Sequence, residues 1–183
     1  MFSFAIDAET DIRLLEVRHA EEIAAVVDAN REYLTPWMPW APANTVETTR
    51  QYIQTCLDQF AKNNGFQAGI FVRGKYVGGI GFHVVDWVNL KTSMGYWIAQ
   101  GFQGRGIMTR ATAALIEHAF AEWKLNRVEI RAAVENVRSR AIPERLSFTQ
   151  EGICRQVEKF EGMFRDHVVY GMLAAEWRGV RKH

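Results

Sequence analysis

The sequence predicts an α+β fold: a mixed, mostly antiparallel sheet of about seven strands flanked by about four helices. Three features carry that expectation. Strand-like runs between residues 66 and 99 are joined by connections so short that only an antiparallel meander can follow. Apolar residues at helical spacing mark segments on either side of that meander. From Gly95 to Val134, a strand, a glycine-rich turn, a helix and a second strand succeed one another, so one strand pair should be joined by a crossover.

A chain of 183 residues fits a single domain, here taken as residues 1–183. With 48% hydrophobic, 12% aromatic and 23% charged residues, it has the composition of a core former and not of a disordered chain. The 22 basic and 21 acidic side chains leave a formal charge of +1, so no bulk field draws the protein to nucleic acid or to an anionic membrane. Any phosphate binding must be local. Cys56 and Cys154 have neither zinc-site spacing nor a disulfide pattern and suit a reducing compartment. Asp7 interrupts the opening apolar residues where a signal peptide needs a continuous run, and no stretch approaches the ~18 apolar residues of a membrane span. A cytoplasmic protein is expected.

The elements follow in order. Ile12 to Glu16 alternates as a short strand, and His19 to Asn30 carries Ile23, Val26 and Val27 at helical spacing. Pro36 and Pro39 bar a helix interior from residues 33–40, which read as an ordered loop. Val46 to Phe60 sets Tyr52, Ile53, Cys56, Leu57 and Phe60 on one face, and Asn63-Asn64-Gly65 ends that second helix. Strands over Phe66 to Val72, Tyr76 to Val85 and Thr92 to Ala99 form the meander. Ile107 to Trp123 reads as a helix, Arg127 to Val134 as a buried strand and Ser139 to Leu146 as a short helix. Strands from Phe148 to Lys159 and Phe164 to Glu176 complete the fold.

The sharpest motif is the segment from Gly95 to Thr109, in which Gly101, Gly104 and Gly106 lie between a strand and a helix. Glycines let backbone amides approach an anion, and a helix N-terminus adds unpaired N–H donors and a favourable dipole. This is a phosphate cradle; its plainer alternative is a tight strand-to-helix turn. A dinucleotide fold would want its glycines in the first strand-to-helix unit, whereas a meander precedes these. Gly69 to Tyr76 nearly matches a P-loop, but Tyr76 stands where Ser or Thr should bind magnesium, so it reads as a hairpin turn. His19, His83, His118, His167 and His183 show no metal-ligand spacing, and His118 reads as a core residue.

Gly95-Tyr96-Trp97-Ile98, Gln103-Gly104-Arg105-Gly106, Asn126-Arg127-Val128-Glu129, Glu135 to Ser139 and Glu144 to Phe148, in that order, resemble the GNAT acetyltransferase superfamily. More narrowly, the chain resembles the ribosomal-protein N-terminal acetyltransferases. Ile12 to Leu15, the Pro36-Trp37 loop and Asp166 to Tyr170 extend the resemblance over nearly the whole chain.

That resemblance implies acetyl-coenzyme A as donor and an amine as acceptor, with direct attack in a ternary complex. Backbone amides of Gln103, Gly104, Arg105, Gly106, Ile107, Met108 and Thr109 would hold the pyrophosphate. Ile98 would meet the pantetheine arm through its backbone, and Asn136 through its side-chain amide or else cap the next helix. Arg105, Arg110, Arg138 and Arg140 could meet the phosphates or be ordinary surface charges. Ser139 could protonate the departing thiolate or cap the helix, and Glu158 could serve as general base or be a strand-face carboxylate paired with a cation. Glu161 is the next carboxylate. Tyr33, Trp37, Met38 and Trp40 could wall an acceptor pocket or cap the core.

Three residues depart from the family pattern. Gly101 stands where most members carry Arg or Gln, Pro143 where many place a tyrosine acid, and Ser147 where glycine is usual. An acyl-coenzyme A sensor without turnover is therefore the alternative outside enzymes, and a polyamine, aminoglycoside or amino acid is the alternative acceptor. The acceptor α-amine would come from a protein such as a ribosomal protein. The aromatic content makes a homo-oligomer an expectation as well.

Overall fold

The computed structural model describes residues 3–160 and 162–178, so Glu161 and His183 lie outside the described residues. Its strands are β1 (Ser3–Ala5), β2 (Thr10–Leu14), β3 (Phe66–Val72), β4 (Lys75–Asp86), β5 (Lys91–Ile98), β6 (Arg127–Ala133), β7 (Thr149–Phe160) and β8 (Met163–Leu173). They form one 8-stranded sheet in the order β1-β2-β3-β4-β5-β6-β8-β7, antiparallel everywhere except between β5 and β6. The helices are α1 (Ala20–Ala29), α2 (Arg31–Leu34), α3 (Val46–Ala61), α4 (Ile107–Ala121) and α5 (Val137–Arg145). No helix among the described residues is long and apolar enough to cross a membrane.

Two elements go beyond the sequence expectation. The edge strand β1 has every residue exposed, so it lacks the buried alternation that marks a strand, and it is defined by its pairing with β2. The second is α2, a single turn that ends just before Thr35-Pro36, within the segment expected to be loop.

Local chemistry accounts for the main boundaries. Thr45 caps α3 by accepting from the Thr48 N–H while Thr48 bonds back to the Thr45 N–H, a reciprocal arrangement that satisfies two orphan donors. The β3–β4 hairpin turns on Arg73 and Gly74, both at positive φ (50° and 77°), which matches the right-handed twist of the strands. That is the near P-loop segment, and it is a hairpin. Ser147 adopts φ 62°, so the turn into β7 forms without the usual glycine and carries the strain of a side chain in the left-handed region.

The sheet separates two apolar clusters. Phe66, Ala68 and Ile70 of β3 pack with α4 residues such as Ala111, Leu115 and Ile116, whereas Phe71 and Tyr76 pack with Ile23 and Val27 of α1 and Ile53 of α3. The alternation along β3 sends successive side chains to opposite faces, so α1 and α3 cover one face and α4 and α5 the other. His118, on α4, lies against Phe66 and Trp123, and burial lowers its pKa. It is half-buried at the edge of the core.

The feature that makes a site is a fork in the sheet. β5 and β6 pair in parallel only from Lys91↔Arg127 to Met94↔Ile130. Beyond Met94, β5 continues against β4 as far as Gly78↔Ile98, while β6 continues against β8 as far as Ala133↔His167. Between the diverging ends, backbone groups that a sheet would pair are left facing a gap.

Candidate active site

The gap opens on the start of α4. After Ile98, a short 3-10 turn over Gln100–Phe102 leads to Gly104 and Gly106, at φ 71° and 69°, before α4 begins at Ile107. Both glycines sit in the left-handed region that a β-branched side chain resists. Gly106 is the N-cap and supplies no side-chain cap, and the first helical bond runs from Arg110 N–H to Gly106 C=O. The N–H groups of Ile107, Met108 and Thr109 therefore have no intrahelical partner, and these residues line a cavity of about 600 Å³. An anion fits there: oriented donors, a helix dipole and no Cβ in the way.

The other cradle residues divide. Gly104 lines the cavity, whereas Arg105 and Gly106 do not; the Arg105 guanidinium lies 5.0 Å over the Phe102 ring. The Gln103 N–H is taken by Gln100 C=O, so Gln103 meets the cavity through its side chain, donating to the Tyr33 hydroxyl and accepting from Arg138 at 2.9 Å. Of the four candidate arginines, Arg138 lines the cavity. Arg110 is bound to Asp7 and the Arg105 carbonyl. Arg140 is held through Nε by the Tyr170 hydroxyl at 3.0 Å and through Nη1 by Val134 C=O at 2.8 Å, a latch between α5 and the sheet, and its Nη2 lies 3.7 Å from Glu144. Arg145, not singled out from sequence, lines the cavity beside Ile142.

A second cavity of about 940 Å³ lies on the α1 and α3 side and contains Glu158, His167, Arg131 and Trp40. The two cavities share Trp37, Met38, Tyr96, Trp97, Asn136 and Ser139. Ile98 lines the first and Trp40 the second, where its ring packs edge-on to Trp97 at 5.9 Å. Tyr33 lies on the cradle side, where burial raises its pKa. The structure thus brings Ser139 and Asn136 to the junction and Glu158 to the second cavity.

Local chemistry sets each of these. Asn136 caps α5, its Oδ1 accepting from the Ser139 N–H at 3.1 Å. Asn136 holds the cap that sequence divided between it and Ser139. Pro143 lies inside α5 and has no N–H to give the carbonyl four residues back, which is that of Ser139. The Tyr96 hydroxyl fills that vacancy, donating to Ser139 C=O at 3.0 Å. Burial pushes the Tyr96 phenol far above its ordinary pKa, so it stays a donor across the working pH range. Gly101 faces open space, and the turn forms without a larger side chain there.

The loop between α2 and α3 is fixed from beneath by Arg31, which donates to the carbonyls of Ala41, Pro42 and Asn44. From the sheet side, Arg165 donates to Pro36 C=O and lies 5.7 Å over the Trp37 ring. These contacts place Trp37 and Met38 over the junction.

Glu158 lies against His167, whose Nε2 is 3.2 Å from Oε2. That pairing replaces the Lys or Arg partner that a surface strand would supply. In the sequence His167 stands among five histidines without metal-ligand spacing and within the segment Asp166 to Tyr170. The signal available was its place one residue from Asp166 in the last strand, too weak to single it out. Among the described residues, no group of three or more His, Cys, Asp or Glu could hold a metal ion.

Known proteins share this architecture. The family model described as "Acetyltransferase (GNAT) domain" matches residues 11–149. A protein of Bacillus subtilis named "Putative ribosomal N-acetyltransferase YdaF" is 41% identical over 181 residues, 98% of this chain and 99% of that protein. Among solved structures, a "Probable acetyltransferase" superimposes with a TM-score of 0.92 at 41% identity, covering 97% of this chain and 99% of the other. RimL, a ribosomal L7/L12 alpha-N-protein acetyltransferase in complex with coenzyme A, gives 0.90 at 25% identity, covering 94% of this chain and 98% of its own. The matched span runs from β2 through the forked strands and the α4 cradle to the start of β7, and the chain belongs to the GNAT acetyltransferase family.

Proposed function

We propose that this chain, acting as one cytoplasmic domain over residues 1–183, transfers acetyl from acetyl-coenzyme A to the α-amine of a protein N-terminus, such as that of a ribosomal protein. The observation that carries the reading is the meeting of two cavities at Tyr96, Trp97, Asn136 and Ser139, one beside the amide cradle and the other holding a carboxylate. The relatives named for ribosomal and alpha-N-protein acetylation support the choice of acceptor.

In this reading the N–H groups of Gly104, Ile107, Met108 and Thr109 bind the pyrophosphate, with Arg138 adding charge. Ile98 and Asn136 align the pantetheine so that its thioester lies at the junction. The acceptor enters through the larger cavity, past Trp37, Met38 and Trp40. Its nitrogen attacks the thioester carbon; Glu158 removes the N–H proton through water, the C–S bond breaks, and the Ser139 hydroxyl passes a proton to the sulfur and regains one from solvent. The base meets a modest demand: an α-amine with pKa near 7.8 is roughly 15% neutral at pH 7, against about 0.04% of a lysine amine near 10.4.

A thiol-release assay tests the proposal on a panel of N-terminal peptides, the same peptides with the α-amine formylated, polyamines and aminoglycosides. Turnover with free α-amines and none with formylated peptides is expected, even when those carry lysine. Faster turnover of a small amine, or coenzyme A binding without thiol release on any acceptor, would overturn it.

A further inference from the structure

Glu158 reaches the second cavity because β7 is irregular. Cys154 pairs with His167 and Glu158 with Arg165, so two extra residues of β7 are taken up between those pairs. A regular ladder continued from Cys154 would have set Glu158 opposite Met163, near the hairpin tip. The bulge carries Gln156 at φ 51°, a strained value for a side-chain-bearing residue, and Asp166 pins it by accepting from the Gln156 N–H at 2.8 Å. Its effect is to set Glu158 diagonal to His167 on the same face, within reach of a long side chain.

Arg165, the register partner of Glu158, does not neutralise it. Its guanidinium turns instead to the Pro36 carbonyl and lies 4.1 Å over the Phe160 ring. His167 takes the place this leaves. Its side chain is 18% exposed and that of Glu158 28%, so the pair is partly shielded from solvent and faces the cavity. In the tautomer that carries its hydrogen on Nε2, the imidazole donates to Oε2 at 3.2 Å.

We propose that His167 is a positioning residue for acetyl transfer: its Nε2–H fixes one oxygen of Glu158 and aims the other at the water that takes the proton of the incoming amine. The inference rests on the reading of Glu158 as base. Without the imidazole, a side chain with three rotatable bonds can leave the attack geometry, and a displacement of about 1 Å from that geometry costs on the order of 100-fold in rate.

The test is a double-mutant cycle on the whole chain, reading kcat and the Michaelis constants on the best N-terminal peptide. His167→Ala is expected to lower kcat about 10- to 100-fold, with the Michaelis constant for acetyl-coenzyme A held within about twofold. His167→Gln, whose amide nitrogen can donate to the same oxygen, should recover most of that loss. In a Glu158→Gln background, His167→Ala should change the rate less than about twofold, because no base remains to be aimed. Equal losses in both backgrounds, or a His167→Gln enzyme as slow as His167→Ala, would mark the pair as a strand contact alone and overturn the proposal. A Glu158→Gln enzyme with wild-type turnover would instead remove the base assignment itself. That outcome is read from the single variant and is distinct from additive losses in an enzyme that Glu158→Gln has already slowed.

Discussion

The hydroxyl of Tyr96 does what a backbone amide would do in an uninterrupted helix, and this makes its contribution depend on a residue 47 positions away. Ser139 C=O lacks its ordinary partner because that partner is Pro143, and Tyr96 supplies the donor at 3.0 Å. Tyr96→Phe removes only the oxygen and leaves a part-buried carbonyl unpaired, which costs about 1–3 kcal/mol. In a Pro143→Ala background the new amide at position 143 can take the same carbonyl, so the cost of Tyr96→Phe should fall below about 1 kcal/mol. The coupling is then about 1–2 kcal/mol. Urea unfolding of the four proteins, read as midpoints at constant slope, resolves it; each kcal/mol also moves Tm by about 2–4 °C in a chain of this size. A cost of Tyr96→Phe that is equal in the two backgrounds refutes the exchange of donors. In the wild-type background the same change should also slow turnover, since Ser139 sits in the turn that Tyr96 holds.

Other outcomes follow from the same geometry. Gly104→Val and Gly106→Val should weaken coenzyme A binding by calorimetry far more than Arg105→Ala, because each forces a β-branched side chain to a φ near 70° in the turn that presents the start of α4, while the Arg105 guanidinium lies over Phe102. A reversed order would remove the amide cradle. Asn136→Ala should cost about 0.5–2 kcal/mol through the lost cap on α5 and also raise the Michaelis constant for acetyl-coenzyme A; stability loss with an unchanged constant would leave Asn136 as a cap only. Glu151 pairs bidentately with Arg127 across the sheet, and that guanidinium holds its carboxyl below the usual pKa. A depressed carboxyl stabilises the fold above its unfolded pKa and loses that contribution as pH falls through the folded value. The stability difference between wild type and Glu151→Gln should therefore be largest near neutrality and vanish in acid, and a difference that grows on acidification contradicts the pairing.

What was legible in the sequence is what short-range chemistry decides. The meander follows from alternation broken at Arg73-Gly74, and the cradle from three glycines between a strand and a helix. Both are written within about fifteen residues. The single turn of α2 and the edge strand β1 left no periodic trace, since one is four residues long and the other buries nothing. The site was legible by residue type and not by partner. Asn136, Ser139 and Glu158 could be named, but each carried a structural alternative that only tertiary contacts could weigh.

Those contacts turn on groups that a sequence shows as missing or misplaced. Pro143 reads as the loss of a tyrosine acid, yet its physical effect is to free the carbonyl that Tyr96 then holds at the junction of the cavities. Arg140 reads as a spare cation near the phosphates, yet it is held by the Tyr170 hydroxyl and the Val134 carbonyl, and Arg165, the register partner of Glu158, is drawn to the Pro36 carbonyl. Because Arg165 is drawn to the loop, Glu158 is left to His167, a partner that can aim it. A departure from a family pattern at one position thus acts through whichever neighbour inherits the vacated hydrogen bond. At this junction the two heirs, Tyr96 and His167, come from opposite sides of the forked strands.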